Sequence, residues 1–140
     1  MNETDITDHI TNTYPDVEIV RDFGYTMFFY KSDHKLSFAT FISADYEYDR
    51  YSDLNRPGVY RLNIGISKPT FQSLFGKDEI NVQEYDFTAL DVIIPHPEYA
   101  SYHFICVLSP SKATFERIRP LLAEAYDIAV RRFNSQNKQP

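Results

Sequence analysis

Apolar positions along this chain change period several times, and each change marks an element. Ile6 and Ile10 stand one helical turn apart in a polar stretch, so residues 3–13 read as a short helix. Asn2 or Thr4 caps it, and Pro15 ends it. "VEIV" and "YTMFFY" carry the β-branched and aromatic density of strands, and Asp22-Phe23-Gly24 joins them as a hairpin. "KLSFATFIS" gives a third strand and "VYRLNIGIS" a fourth. In the fourth the period is two: Tyr60, Leu62, Ile64 and Ile66 take one face, while Val59, Arg61, Asn63 and Gly65 take the other. Ser67 and Pro69 open a second short helix, which Gly76 closes. An acidic connection over 77–90 leads to two more strands, "DVIIP" and "HFICVLS". The last helix runs from about Ser111 to about Phe133, with the stripe Phe115, Ile118, Leu122, Ala125, Ala129 and Phe133 at three–four spacing. Pro120 lies inside it and is expected to kink it.

The order αββββαββα, with consecutive strands and few, segregated helices, predicts an α+β fold. It would have two layers, a mainly antiparallel sheet of about six strands with the helices on one face. A single domain over 1–135 accommodates all of these elements, with 136–140 as a disordered tail. "SKPTF" at 67 and "SKATF" at 111 echo each other. Two helix starts with the same capping need explain the echo without a duplication.

Composition narrows the partners. The net charge is −6, residues 1–18 carry five acids and no Lys or Arg, and residues 112–140 hold six Lys/Arg against three Asp/Glu. Overall acidity disfavours tight nucleic-acid binding, which depends on neutralising phosphates, although a local basic patch on the last helix remains available. The amino-terminal stretch has neither a basic nor an apolar segment of a signal peptide, and no apolar run has the length of a membrane span. The one cysteine, Cys106, lies in an apolar run, which points to a buried packing residue and a reduced, cytoplasmic protein.

Few residues form a chemical pattern. "IIPHPEYASYHF" holds His96, Glu98 and His103, but the seven-residue spacing of the histidines fits neither strand nor helix zinc motifs. Pro95 and Pro97 instead make this a structural corner with His96 partly exposed, so that removing the imidazole should cost little. No metal site is expected, and no cofactor or catalytic set is apparent. If Phe104, Cys106 and Leu108 face the core, His103 shares the open sheet face with Arg61 and Asn63, three residues suited to an anionic or amide-bearing ligand. The loop 44–58 carries Asp45, Glu47, Asp49 and Asp53 with Arg50 and Arg56. Without an EF-hand pattern it reads as a solvated, mobile acidic loop.

"RPGVYRLNIGISKPTFQSLFG", "YDFTALDVIIPHPEYA" and "VLSPSKATFERIRPLLAEAYDIAVRRF" resemble a bacterial family of domains of unknown function, over nearly the whole chain. The strand order and "LLAEAYDIAVRRF" are distantly similar to MmcQ/YjbR-like proteins, often labelled DNA-binding and likened in fold to secretion chaperones. The resemblance implies a YjbR-like fold and transfers no catalytic residue. The leading expectation is a non-enzymatic cytoplasmic module holding a small ligand or peptide through Arg61, Asn63 and His103. The alternative is DNA binding through Arg117, Arg119, Arg131, Arg132 and Lys138 on the last helix. Third comes an enzyme using His103, Arg61 and a loop carboxylate.

Overall fold

The computed structural model describes residues 1–32 and 34–136. The elements are α1 (Glu3–Thr13), β1 (Val17–Asp22), β2 (Tyr25–Tyr30), β3 (Ala39–Ile42), β4 (Arg61–Gly65), α2 (Lys68–Phe75), β5 (Ile94–Pro95), β6 (Phe104–Leu108) and α3 (Lys112–Gln136). The six strands make one antiparallel sheet in the order β1-β2-β3-β4-β6-β5. The fold is thus α+β, as the pattern predicts. Two strands are shorter than expected, β3 starting at Ala39 and β5 spanning only Ile94–Pro95. The tail residues 137–140, with Lys138, lie outside the described residues.

Local chemistry accounts for the ends. Asn2 closes a capping box with Asp5, its side chain accepting from the Asp5 amide and its own amide donating back. The β1–β2 turn is two residues, Phe23 and Gly24, with φ of 52° and 80°. Positive φ at both positions matches the twist of a tight hairpin. The echoed motifs are two N-caps: the Ser67 hydroxyl accepts from the Thr70 amide, and the Ser111 hydroxyl from that of Thr114. Each start also receives a distant carboxylate. Glu124 of α3 accepts from the Ser67 amide and from the hydroxyls of Ser67 and Thr70, and Asp91 accepts from the Ser111 amide at 2.7 Å. Both serve the partial positive charge of a helix start.

One sheet face packs on the helices. Phe28, Ala39, Phe41, Leu62, Ile64, Ile105 and Val107 meet Ile6 and Ile10 of α1, Phe71 of α2, and Phe115, Ile118, Leu122, Ala125 and Ala129 of α3. Burying each large side chain stabilises by about 1.5–3 kcal/mol, so α3 is part of the core. It continues as helix through Pro120. Tyr126 stacks on Tyr14 at 4.7 Å and donates to the Pro15 carbonyl, tying α3 to the end of α1.

This core contains one defect. Tyr60 is buried, and its hydroxyl is the one buried side-chain polar atom without a hydrogen-bond partner among the described residues. Burial pushes the phenol up to about 12. An unsatisfied buried polar group costs about 1–3 kcal/mol. Tyr60→Phe should therefore raise the stability measured by urea unfolding by roughly 1 kcal/mol; a loss of that size would show that the hydroxyl is satisfied in solution.

Candidate functional site

The other sheet face is built in rows. Tyr25, Ile42, Arg61 and Leu108 lie side by side, then Met27, Thr40, Asn63 and Cys106, then Gly65 and Phe104. Far from being an open polar surface, it is covered at one end. Ile42, Leu54, Val59 and Leu108 form a second small core there, with Tyr25 against it. The loop 44–58 supplies the cover, folding over the sheet with Asp49, Ser52 and Leu54 buried.

Arg61 is the reason that the loop folds inward. It is 0% exposed, and its guanidinium donates to both oxygens of Asp49, at 3.1 and 2.6 Å, to the Ser52 hydroxyl and to the Asn63 amide oxygen. The Tyr25 phenol donates to the same Asp49 carboxylate at 2.5 Å. Burial alone would raise the Asp49 carboxyl, but the bonds from Arg61 and Tyr25 outweigh it and hold the group below its ordinary range. Burial likewise opposes the charge on Arg61, and Asp49 more than restores it. Burial, then the bond to Asp49, pushes the Tyr25 phenol up. The pair is therefore ionised, internally neutral and out of reach of a ligand.

His96 sits one row away and contradicts the expectation of a partly exposed corner. It is 3% exposed, continues the ladder by donating its amide to the Phe104 carbonyl, and accepts at Nδ1 from the amides of Glu98 and Tyr99, both at 3.0 Å. Pro97, between His96 and Glu98, has no amide to offer, so the imidazole caps the turn that the prolines begin. Burial, reinforced by the nearby Arg61 charge, lowers His96 to about 3. A neutral ring that accepts at Nδ1 carries its proton on Nε2.

His103 lies elsewhere. It has left-handed backbone, φ 66°, just before β6, and its ring packs on Phe71 of α2 at 5.6 Å. In β6 it is Ile105 and Val107 that face the helices, while Phe104, Cys106 and Leu108 pair with the outer-face residues of β4. The assumed parity was therefore inverted, because β6 is apolar on both faces and its pattern carries no direction. Arg61 and Asn63 come together and His103 does not join them. Cys106 is fully buried, its thiol pushed up to about 12 by burial.

Beside the ion pair, the outer face opens into a cavity of about 930 Å³ that also reaches Ala125, Ile128 and Arg132 of α3. Its floor includes Met27, Thr40, Asn63, Gly65, Phe104 and His96. The Phe104 ring lies across Gly65, where a Cβ would meet it at 2.8 Å. Phe23, Tyr48, Tyr99 and Tyr102 also line the cavity and are strongly exposed, Phe23 at 73% and Tyr102 at 71%. Phe23 holds positive φ without being glycine, and its carbonyl accepts from the Tyr48 hydroxyl. Tyr48 stacks in turn on Tyr46, whose ring covers Gly24. From sequence, Phe23 reads only as a turn residue and Tyr99 or Tyr102 only as packing over the edge of the proline corner; the signals for a binding role were the dense tyrosines of "DYEYDRY" and "EYASYHF".

The remaining sequence candidates disperse. Asp45 accepts from the Leu54 amide and Asp53 pairs with Arg56 at 3.7 Å, so the loop acids hold the loop rather than face one point. No cluster of three metal-ligating side chains exists among the described residues. On α3, Arg119 pairs with Glu116 and Arg131 with Asp127, Arg132 donates to the Leu36 carbonyl, and Arg117 is exposed. Among the described residues no helix is long and apolar enough to cross a membrane.

Fold and site define an α+β domain with an aromatic-mouthed cavity that runs from the outer sheet face round to Ala125, Ile128 and Arg132 of α3. The family model for a family of unknown function, DUF6194, matches residues 1–138, and the chain belongs to that family. No curated protein and no solved structure matches it.

Two outcomes check this account of the site. Asp49→Ala should cost about 3–5 kcal/mol, since it strands a buried guanidinium, whereas the double change Asp49→Leu/Arg61→Met should cost clearly less. Equal losses in urea unfolding would deny the pairing. His96, lowered from 6.5 to about 3 in the folded protein, binds no proton in a range where the unfolded chain does. Stability should therefore fall as pH drops below 6.5, by roughly 1.4 kcal/mol per pH unit toward the folded value. His96→Asn, which keeps an acceptor for the two amides, should flatten the profile between pH 6.5 and 5. An unchanged slope would assign the titration elsewhere.

Proposed function

We propose that this protein is a non-enzymatic binding module that holds a small, flat, mainly apolar ligand in the cavity on its outer sheet face. The observation that carries the reading is the ring of exposed aromatics, Phe23, Tyr48, Tyr99 and Tyr102, at a cavity with a rigid floor. Exposed large aromatics grouped at a concavity mark binding surfaces. Phe23 adds weight, because left-handed backbone at a non-glycine residue costs on the order of 1 kcal/mol, and asparagine or glycine would make the same turn more cheaply. The volume of about 930 Å³ suits a drug-sized molecule, for which pockets span about 300–1,000 Å³. Arg61 and Asn63 take part from beneath: Arg61 fastens the loop, and Asn63 belongs to the floor. A lone buried cysteine suits a reducing, cytoplasmic setting.

Nucleic-acid binding, the function attached to MmcQ/YjbR-like proteins, has less support. Arg119 and Arg131 already face acids one turn away, and the net charge of −6 opposes phosphate contact.

Titration with naphthalene and indole tests the reading, followed by amide chemical shifts. Perturbations should centre on Thr40, His96 and Tyr99. The double variant Phe23→Ala/Tyr102→Ala should weaken binding about tenfold, since an exposed stacking contact contributes roughly 0.5–1.5 kcal/mol per ring. Shifts that map to α1 and α2, away from the cavity lining, or none at millimolar ligand, would defeat the proposal.

A further inference from the structure

Resting on that binding reading, the geometry points to a chemical class of ligand: we infer that the cavity takes an uncharged aromatic carbonyl compound, whose oxygen accepts a hydrogen bond from Nε2–H of His96. The inference comes from the hydrogen-bond accounting of the floor. His96 lines the cavity and is nine-tenths buried or more, yet among the described residues the only hydrogen bonds of its ring are those that Nδ1 accepts from Glu98 and Tyr99. Nε2 has no partner among the described residues and is not sealed among the buried unsatisfied atoms, so its proton is left to the cavity.

The neighbours have the same polarity. The Asn63 amide oxygen is taken by Arg61, which turns the amide nitrogen to the Thr40 hydroxyl at 2.9 Å. Thr40 accepts that bond, so its own proton is free to donate, and Asn63 keeps a second N–H. His96, Thr40 and Asn63 thus offer donors, while the principal acceptors of the floor are engaged. A ligand placed there must bring an acceptor.

Charge then selects among acceptors. Arg61 is cancelled by Asp49 and fully buried, and burial with Arg61 keeps His96 neutral. Glu98 stands at the rim as an exposed carboxylate. Arg132 also lines the cavity and donates to the Leu36 carbonyl, whereas the charges that act on His96 are those of Arg61 and Asp49. A carboxylate accepting from Nε2 would therefore lose its hydration beside an ion pair that is already cancelled, and an ammonium there would meet donors, with the Glu98 carboxylate out at the rim. A neutral carbonyl on a flat ring satisfies both the donors and the aromatic mouth.

Four probes sharing one ring system test this: naphthalene, 1-naphthamide, 1-naphthoate and 1-naphthylmethylammonium. On the wild-type protein, 1-naphthamide should bind at least tenfold tighter than each of the others and shift the His96 Nε2 proton downfield. His96→Asn keeps the acceptor for the two amides and should reduce that preference to within twofold without loss of naphthalene binding. His96→Gln, which places an N–H near the position of Nε2, should retain part of it. Naphthalene bound in the cavity with no gain from the amide would overturn this inference and leave the binding module standing. Preference for 1-naphthoate would overturn the assignment of an uncharged ligand. Absence of binding by all four would overturn both. Should His96→Asn fail to fold, the wild-type ranking and the His96 proton shift decide the matter alone.

Discussion

The outer face of this domain depends on one buried ion pair. Arg61 projects from the middle of the sheet into a space closed to bulk solvent, and such a charge is tolerated only if a counter-ion comes to it. Asp49 does so at 2.6 Å, brought by a loop that would otherwise have little reason to fold onto the sheet. Ser52 and Tyr25 satisfy the remaining hydrogen-bonding capacity, and Leu54 buries itself alongside. The loop is then a wall, and Tyr48, next to Asp49, is carried to the cavity edge. The helices and strands would survive without the pair; the cavity would not have its present shape.

The same pair sets the electrostatics next to it. A charge and its counter-ion held together inside the protein leave little net field for a ligand, but they are close enough to act on His96, where Arg61 disfavours a second positive charge. Desolvation works in the same direction and is the larger cause. The two backbone amides at Nδ1 then determine which nitrogen keeps the proton. A histidine between two prolines, which seems at first a candidate metal ligand or base, becomes a fixed neutral donor whose side chain also caps a turn.

The helical side was largely legible in the sequence. Ile6 and Ile10, the α3 stripe from Phe115 to Ala129, and the alternation of Leu62 and Ile64 against Arg61 and Asn63 all carry direction, because one side of each element is plainly more apolar. Ser67 and Ser111 announced their helices by local hydrogen bonding, which needs only neighbours in the chain. Strand β6 resisted, since "FICVL" is apolar throughout and gives no parity. The site was less legible than the fold. Arg61 and Asn63 were recognised as outer-face residues, but their burial depended on a loop that composition alone describes as solvated and acidic.

By itself, then, the sequence determined the class of fold, the order of its elements and the face of β4 on which polar groups lie, because period and capping are local properties of the chain. Only the tertiary structure decided that Asp49 meets Arg61 across 12 residues, that Tyr99 and Phe104 close around His96, and that Phe23 faces the cavity with Tyr48. Those outcomes turn on charges and rings finding partners in three dimensions. A buried charge will recruit whichever opposite charge the fold brings within reach, and no local pattern names it in advance.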